Sequence, residues 1–508
     1  MASAAVRCWP PCNLQEGNRA IQQQLMQGRS RDAILTYVRM QEWGLSGDNF
    51  TFPLLLKAAS NFESSRMGAT LHGQSTKNGY SDHAFVQTAL LNMYSSLGEI
   101  DEAFCMFMAM PRKDLVAWNS MLKAWVCHGR MDEAIKLFEA MPLKDHVSFN
   151  TMMSGFAKAG RIDRVEEFFN QCPSRDAVSW NTLISAYVKA DKIRLACSLF
   201  EEMPERNVVS WNTLMAGYIQ SQLYAEAFEL FYDMKARGFE PNHLTFAGVL
   251  SACAHMGLLD TGREIHIHAG QVGLTWNPHV VASLIDMYAK CGGIEGALEV
   301  FYKAPHKDIF CWNAMMSSLA LHGHGAACIR LFNDMQTRGM KPDDITFIGL
   351  LSACSHAGLV DDGCRFFAAM EKQHGAAPKA EHYGCLVDLL ARAGHLERAY
   401  DLVESTPFEL GAAVLGALLG ACAVHRNLQI GEAVATRLLA RTGGLTDGEY
   451  MMLANMYAAC GRWEEASRWR GVMNGDEGVK KTAGWSGIEV AGRVHRFLAG
   501  EVCASSST

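Results

Sequence analysis

Apolar and polar positions follow one fixed order that keeps returning along the chain. Valine, small residue, aromatic, asparagine appears as Val116-Ala117-Trp118-Asn119, Val147-Ser148-Phe149-Asn150, Val178-Ser179-Trp180-Asn181 and Val209-Ser210-Trp211-Asn212, each 31 residues after the last. A constant period of that size marks stacked supersecondary units, each burying its apolar face on its neighbour. A second cassette places the turns: Gly98-Glu99-Ile100-Asp101, Gly129-Arg130-Met131-Asp132, Gly160-Arg161-Ile162-Asp163, Gly358-Leu359-Val360-Asp361 and Gly461-Arg462-Trp463-Glu464. Glycine accepts the left-handed conformation after a helix C-terminus, and an acid in a first turn faces the positive end of the helix dipole. Each unit therefore reads as helix, short turn, helix, and the chain as an all-α solenoid.

Two exits follow the second helix. One is short, Met-Pro with a charged pair, as in Met110-Pro111-Arg112-Lys113-Asp114; the other is longer, as in Gly339-Met340-Lys341-Pro342-Asp343. Proline stops the helix, and two unit lengths result. The units are 14–48, 49–83, 84–114, 115–145, 146–176, 177–207, 208–242, 243–277, 278–308, 309–343 and 344–379, with a twelfth from Ala380 to near Ala413. At these residues the chain resembles the plant pentatricopeptide repeat family, specifically its PLS subclass, over nearly its whole length. The resemblance implies a right-handed α-solenoid superhelix of helix-turn-helix repeats over 14–413. The tract opening Val414-Leu415-Gly416 and the stretch Tyr450 to Gly484 resemble two E-type repeats, so 414–484 is expected to form them. The tail 485–508, beginning Trp485-Ser486-Gly487, resembles the start of an E-plus extension, and nothing resembling the deaminase-like DYW domain follows.

Composition narrows this little. With 49% hydrophobic and 19% charged residues the chain has the apolar material for a core and is not disordered by composition. A net charge of −7 argues against a generally basic nucleic-acid binder but leaves room for a locally positive groove. The 16 cysteines recur at repeat-equivalent apolar positions, as in Cys253, Cys354 and Cys422, and read as reduced, buried thiols. The longest apolar stretch, Leu410 to Val424, is shorter than the ~20 residues a spanning helix needs. Residues 1–13 contain Arg7 and no acid, a composition compatible with the front of a transit peptide.

An array of parallel helices presents one inner surface. The fifth residue of each unit and its last residue then recur at a regular spacing able to meet successive bases of a single strand. An Asn amide both donates and accepts, and an Asp beside it supplies acceptors for the N3 hydrogen of uracil. The base-recognition code that the resemblance implies assigns uridine to Asn18 with Asp48, Asn119 with Asp145, Asn150 with Asp176, and Asn313 with Asp343. Thr88 with Asp114 implies guanosine, while Asn181 with Asn207 and Asn212 with Asn242 imply cytidine with uridine tolerated. The target is U-n-G-U-U-Y-Y-n-n-U-n-n. Pro53 with His83, Ala247 with Asn277, Ala282 with Asp308, Ile348 with Lys379, and Gly384 receive no base. Three residues before the coding Asn, Val116, Val147, Val178, Val209 and Phe310 are expected to pack between bases, and Gln15 departs. The Trp118, Trp180, Trp211 and Trp312 stripe reads as core.

Catalytic chemistry has little footing. His395-Leu396-Glu397 matches only the first half of a zinc-deaminase signature, no Cys-x-x-Cys occurs, and neither a phosphate loop nor a nucleophile elbow is present. No cofactor, metal or small-molecule substrate is expected. The resemblance implies a site-recognition factor for organellar C-to-U RNA editing, in mitochondrion or chloroplast with the former slightly preferred. It would bind single-stranded RNA and recruit a DYW-type deaminase protein in trans, with multiple organellar RNA editing factor proteins as further partners. Organellar RNA processing, splicing or stabilisation is the alternative that keeps RNA binding. A protein-binding scaffold like tetratricopeptide arrays is another, although their 34-residue Trp, Leu-Gly, Tyr signature is not what repeats here.

Overall fold

The computed structural model describes residues 13–442, 445–475, 485–490 and 493–498. Among them 28 helices follow one another, from Leu14–Met26 to Trp463–Gly475. The chain divides into two compact units, Met1–Ser221 and Gln222–Thr508. Within each, helices alternate as first and second members of a hairpin, as in Leu115–Cys127 with Met131–Ala140, or Pro278–Lys290 with Ile294–Lys303. This is an all-α repeat solenoid.

The turns obey the glycine logic of the pattern. Gly129 has φ 72° and Gly160 φ 69°, both left-handed. Asp191 and Arg426 hold the equivalent turn at φ 57° without glycine, a conformation that costs a residue with a Cβ about 1–2 kcal/mol. The two unit lengths also have a local cause. Before proline, Met110, Met141 and Met203 are driven to extended backbone with ψ near 120°, and the second helix stops after 10 residues. Where that proline is absent, Tyr224–Ala236 and Gly325–Thr337 run to 13 residues.

The charged pair after Met-Pro joins consecutive units. Lys113 donates to the carbonyls of Met108 and Met110 at the end of one helix and lies over the Phe107 ring, while Asp114 caps the next helix through the Ala117 N–H. Arg175 with Asp176, and Arg206 with Asn207, repeat the arrangement. Each phenylalanine so covered meets a tryptophan edge to face: Phe107 with Trp118, Phe169 with Trp180, Phe200 with Trp211 and, in the second unit, Phe301 with Trp312, all near 5 Å between centroids. Trp211 and Trp312 are fully buried, and Trp118 and Trp180 are half-buried against the hydrophobic core of the first unit. The tryptophan stripe is packing.

Two expectations need amendment. Cys253, Cys354 and Cys422 are buried, but Cys105, Cys127 and Cys460 are exposed, because they fall on helix faces that no neighbouring helix covers. The helix Ala412–Val424 opens the stretch in which the first E-type repeat is expected. After the helices, Trp485–Val490 pairs antiparallel with Arg493–Leu498, from Trp485 opposite Leu498 to Val490 opposite Arg493, so a small two-stranded sheet follows the solenoid. The amino-terminal segment, apart from Asn13, and the tail beyond Leu498 lie outside the described residues. Among the described residues no helix is long and apolar enough to cross a membrane, and no cluster of three metal-ligating side chains occurs.

Candidate nucleic-acid interface

The last residue of most units caps the next helix, and this places it. Asp48 instead lies two residues before the N-cap Phe50 and accepts the Phe50 and Thr51 N–H groups. Asp145, Asp176 and Asp343 are N-caps with extended backbone, each accepting the N–H three residues on. The fifth residue of the preceding unit sits one turn inside its own first helix. Stacking first helices side by side then brings residues 26 to 30 apart in sequence into contact.

Four of the expected pairs form by direct hydrogen bonds. Asn18 Nδ2 donates to Asp48 Oδ1 at 3.2 Å, Asn119 to Asp145 at 3.1 Å, and Asn150 to Asp176 at 2.9 Å in the first unit. In the second, Asn313 donates to Asp343 at 3.0 Å. Burial acts to raise the Asp48, Asp145 and Asp176 carboxyls. Hydrogen bonds from the asparagine and from the N–H and hydroxyl of the following Thr51, Ser148 or Ser179 outweigh it and hold all three below the ordinary carboxylate value. These three aspartates are therefore ionised at neutral pH, each with an amide edge and a carboxylate side by side.

Two further assigned pairs, Thr88 with Asp114 and Asn181 with Asn207, have no hydrogen bond between their members. Thr88 turns its hydroxyl onto the Ala84 carbonyl of its own helix at 3.0 Å, and Asp114 serves as a cap. Asn181 makes no hydrogen bond to Asn207, and its Oδ1 is buried without a partner. Asn212 lies on Val208–Gln220, while Asn242, in the second unit, caps His243–Met256.

The expected base-sandwiching residues stand out from the surface. Val116, Val178, Val209 and Phe310 are more than half exposed and Val147 is 43% exposed, although each is apolar and is followed by a buried residue. A cleft of about 720 Å³ gathers Gln15, Asn18, Asp48, Phe50 and Phe85, so the first Asn–Asp pair opens into a hollow walled by aromatic rings. A second cleft, of about 700 Å³, is lined by Lys57, Lys123, Asn92, Ser120 and His128 and by no acidic residue. This is a locally positive groove in a chain of net negative charge, suited to a phosphate backbone.

Family models match this chain repeatedly. The PPR repeat matches residues 88–115, 116–146, 147–176, 281–309 and 345–374, and the PPR repeat family matches 175–208, 206–255 and 307–356. A pentatricopeptide repeat-containing protein of Arabidopsis thaliana, At3g29230, is 49% identical over 94% of this chain and 80% of its own length. The chain belongs to the pentatricopeptide repeat family. A second Arabidopsis pentatricopeptide repeat protein, At5g56310, is 36% identical over 92% of this chain and 77% of its own. The chloroplastic ELI1 of the same plant is 42% identical over 52% of this chain and 41% of its own. The E motif matches residues 425–489. Among solved structures, the maize pentatricopeptide repeat protein PPR10 aligns over 92% of this chain and 74% of its own with TM-score 0.54 at 18% identity. PPR10 in complex with an 18-nt psaJ RNA element aligns over 93% and 81% with TM-score 0.55 at 17% identity, a likeness of fold.

Two sets of residues in this pentatricopeptide repeat array escaped the sequence reading. Phe50, Phe85, Leu244 and Ile345 occupy the same second position as the expected sandwiching residues and are 67%, 73%, 54% and 49% exposed. Their place in the unit is a sufficient signal, although their units lack Asn at the fifth position. The other set is a hydroxyl at the third position of the following unit: Thr51, Ser148, Ser179 and Thr346, each fully buried. Each touches both members of an Asn–Asp pair.

Proposed function

We propose that this pentatricopeptide repeat protein binds single-stranded organellar RNA base by base. In this reading it serves as the address factor for C-to-U editing, with the deaminase supplied by a DYW-type protein recruited through the E-type segment 414–484. The observation that carries the reading is the recurrence of one hydrogen-bonded Asn–Asp pair at the same two positions of separate units. A lone Asn near a helix start is ordinary helix chemistry. The same pair rebuilt four times at the repeat period, beside exposed apolar residues and an acid-free lysine cleft, is a surface patterned for a repeating polymer. The RNA held by PPR10 and the E motif match support the polymer's identity and the link to editing.

The test is binding of the purified chain to U-n-G-U-U-Y-Y-n-n-U-n-n at one stated salt concentration. The control RNA exchanges the Asn-assigned pyrimidines for purines. Asn150→Ala is expected to lose about 1–3 kcal/mol at its own base and nothing at the others. Equal affinity for both RNAs overturns base reading. Sequencing organellar RNA from a plant lacking the protein separates editing from processing: lost conversion of cytidines downstream of this pattern supports editing, and altered ends or introns with intact conversion replace it.

A further inference from the structure

We propose that the buried hydroxyl at the third position of the following unit is a positioning residue: it holds the asparagine amide in one sense and thereby makes the Asn–Asp pair prefer uracil over cytosine. The proposal rests on the base-reading function above and adds a residue to it.

In all four pairs the hydroxyl oxygen lies 2.7 Å from the asparagine Oδ1: Thr51 with Asn18, Ser148 with Asn119, Ser179 with Asn150, and Thr346 with Asn313. The same hydroxyl lies 2.7 to 2.9 Å from the aspartate Oδ1. One hydroxyl has one proton, so both contacts cannot be full hydrogen bonds. The surroundings decide where the proton goes. At Asp145, Oδ1 already accepts from the Ser148 N–H at 2.9 Å and from Asn119 Nδ2 at 3.1 Å, and the Asp145 N–H donates to Ser148 Oγ at 3.3 Å. With its oxygen accepting from the aspartate backbone, the hydroxyl directs its proton to the asparagine Oδ1. A closed circuit results: amide nitrogen to carboxylate, hydroxyl to amide oxygen, backbone N–H to hydroxyl.

Turning the amide over would set its oxygen against the carboxylate and strand the hydroxyl proton against an N–H. Held as observed, the free edge of the amide offers one N–H and one carbonyl lone pair in a fixed order. Uracil presents a carbonyl and an N–H along its pairing edge, and cytosine presents an amino group and a bare nitrogen. The two pyrimidines therefore match opposite senses of the same amide, and the sense is what the hydroxyl holds. Asn181 shows the circuit open: Ser210 Oγ turns to Asn207 Oδ1 at 3.1 Å, and Asn181 Oδ1 is left buried without a partner. No hydroxyl fixes the sense of the amide there, which accords with the assignment of both pyrimidines to that unit.

Ser148 also belongs to a capping box, so its loss weakens the helix His146–Lys158 whatever it does for the amide. The readout is therefore a ratio. Affinity of the full chain is measured for the target RNA with U or C at the fourth base, read by Asn119, and separately at the fifth, read by Asn150. The original protein is expected to prefer U by about tenfold at each, the size of one good base contact. In Ser148→Ala the preference at the fourth base falls to within about twofold while the fifth keeps its full preference, and Ser148→Thr retains both. A Ser148→Ala protein that binds every RNA more weakly but keeps its preference at the fourth base overturns the proposal and leaves the serine a helix cap. If the original protein discriminates at neither base, the base-reading function itself falls, and this inference with it.

Discussion

The units from Leu115 to Asn207 and those from His243 to Asp308 are built from the same helical hairpins, yet only the first run carries asparagine at the fifth position. Asn119, Asn150 and Asn181 stand where Ala247 and Ala282 do in the other. The closing residue behaves alike in both. Asp145 and Asp176 cap the following helix, and so does Asp308, through the Cys311 N–H at 3.0 Å, although no amide waits beside it. Capping and pairing with an asparagine are thus separable duties of one residue. The array keeps its aspartate for the helix, and in the reading proposed above the base contact is an overlay on that cap, supplied by two small side chains, an asparagine and a buried hydroxyl. At the silent junction that hydroxyl's place is taken by Cys311. Burial, with the Asp308 carboxylate nearby, pushes its thiol up to about 12, so it stays protonated and a weak donor.

The comparison can be broken or sharpened in three ways. The largest effect belongs to packing that both runs share. Phe156 is fully buried against Phe168, and Phe156→Ala is expected to cost about 3–5 kcal/mol of local stability, measured by denaturant unfolding or hydrogen exchange. Each unit contacts its neighbours only, so loss of protection should centre on 115–207 and leave the helices of 344–413 protected. Loss of protection along the whole chain would mean the units are not quasi-independent.

Next comes conversion of a silent unit. Ala282→Asn places an amide opposite Asp308, and adding Cys311→Ser supplies the hydroxyl. The double variant is expected to gain about tenfold preference for U at the ninth base, and the single variant clearly less. No gain from the double variant would show that first-helix spacing around 278–308 does not deliver a base to that position.

The smallest effect is that of pH. The folded Asp48, Asp145 and Asp176 carboxyls lie below the usual value, so the unfolded chain binds protons more readily. Their contribution to stability is complete above about pH 4, the ordinary carboxylate range, and is lost as pH falls through their folded values. Uracil preference at the fourth and fifth bases should be flat between about pH 7 and 5. A change in that interval would place the titrating group outside these aspartates.

Much of the molecule was legible without coordinates, and the reason is local. Repeat length follows from where proline or glycine ends a second helix, as at Met110-Pro111 or Gly339, and the coding positions follow from counting from that stop. These effects act within a few residues, so a string of letters carries them. Other features arise across the space between units. Ser148 reads in sequence as part of the Val-Ser-Phe-Asn cassette and a helix start. Only docking of Leu115–Cys127 beside His146–Lys158 brings its hydroxyl to Asn119, 29 residues earlier. The exposure of Cys127, the aromatic walls around Asn18 and the pairing of Trp485–Val490 with Arg493–Leu498 have the same origin. The sequence by itself determined which residues begin and end each hairpin and which positions recur at the repeat period. Tertiary structure decided which of those side chains hold one another, because that depends on the separation and rotation of stacked helices, quantities no single unit contains.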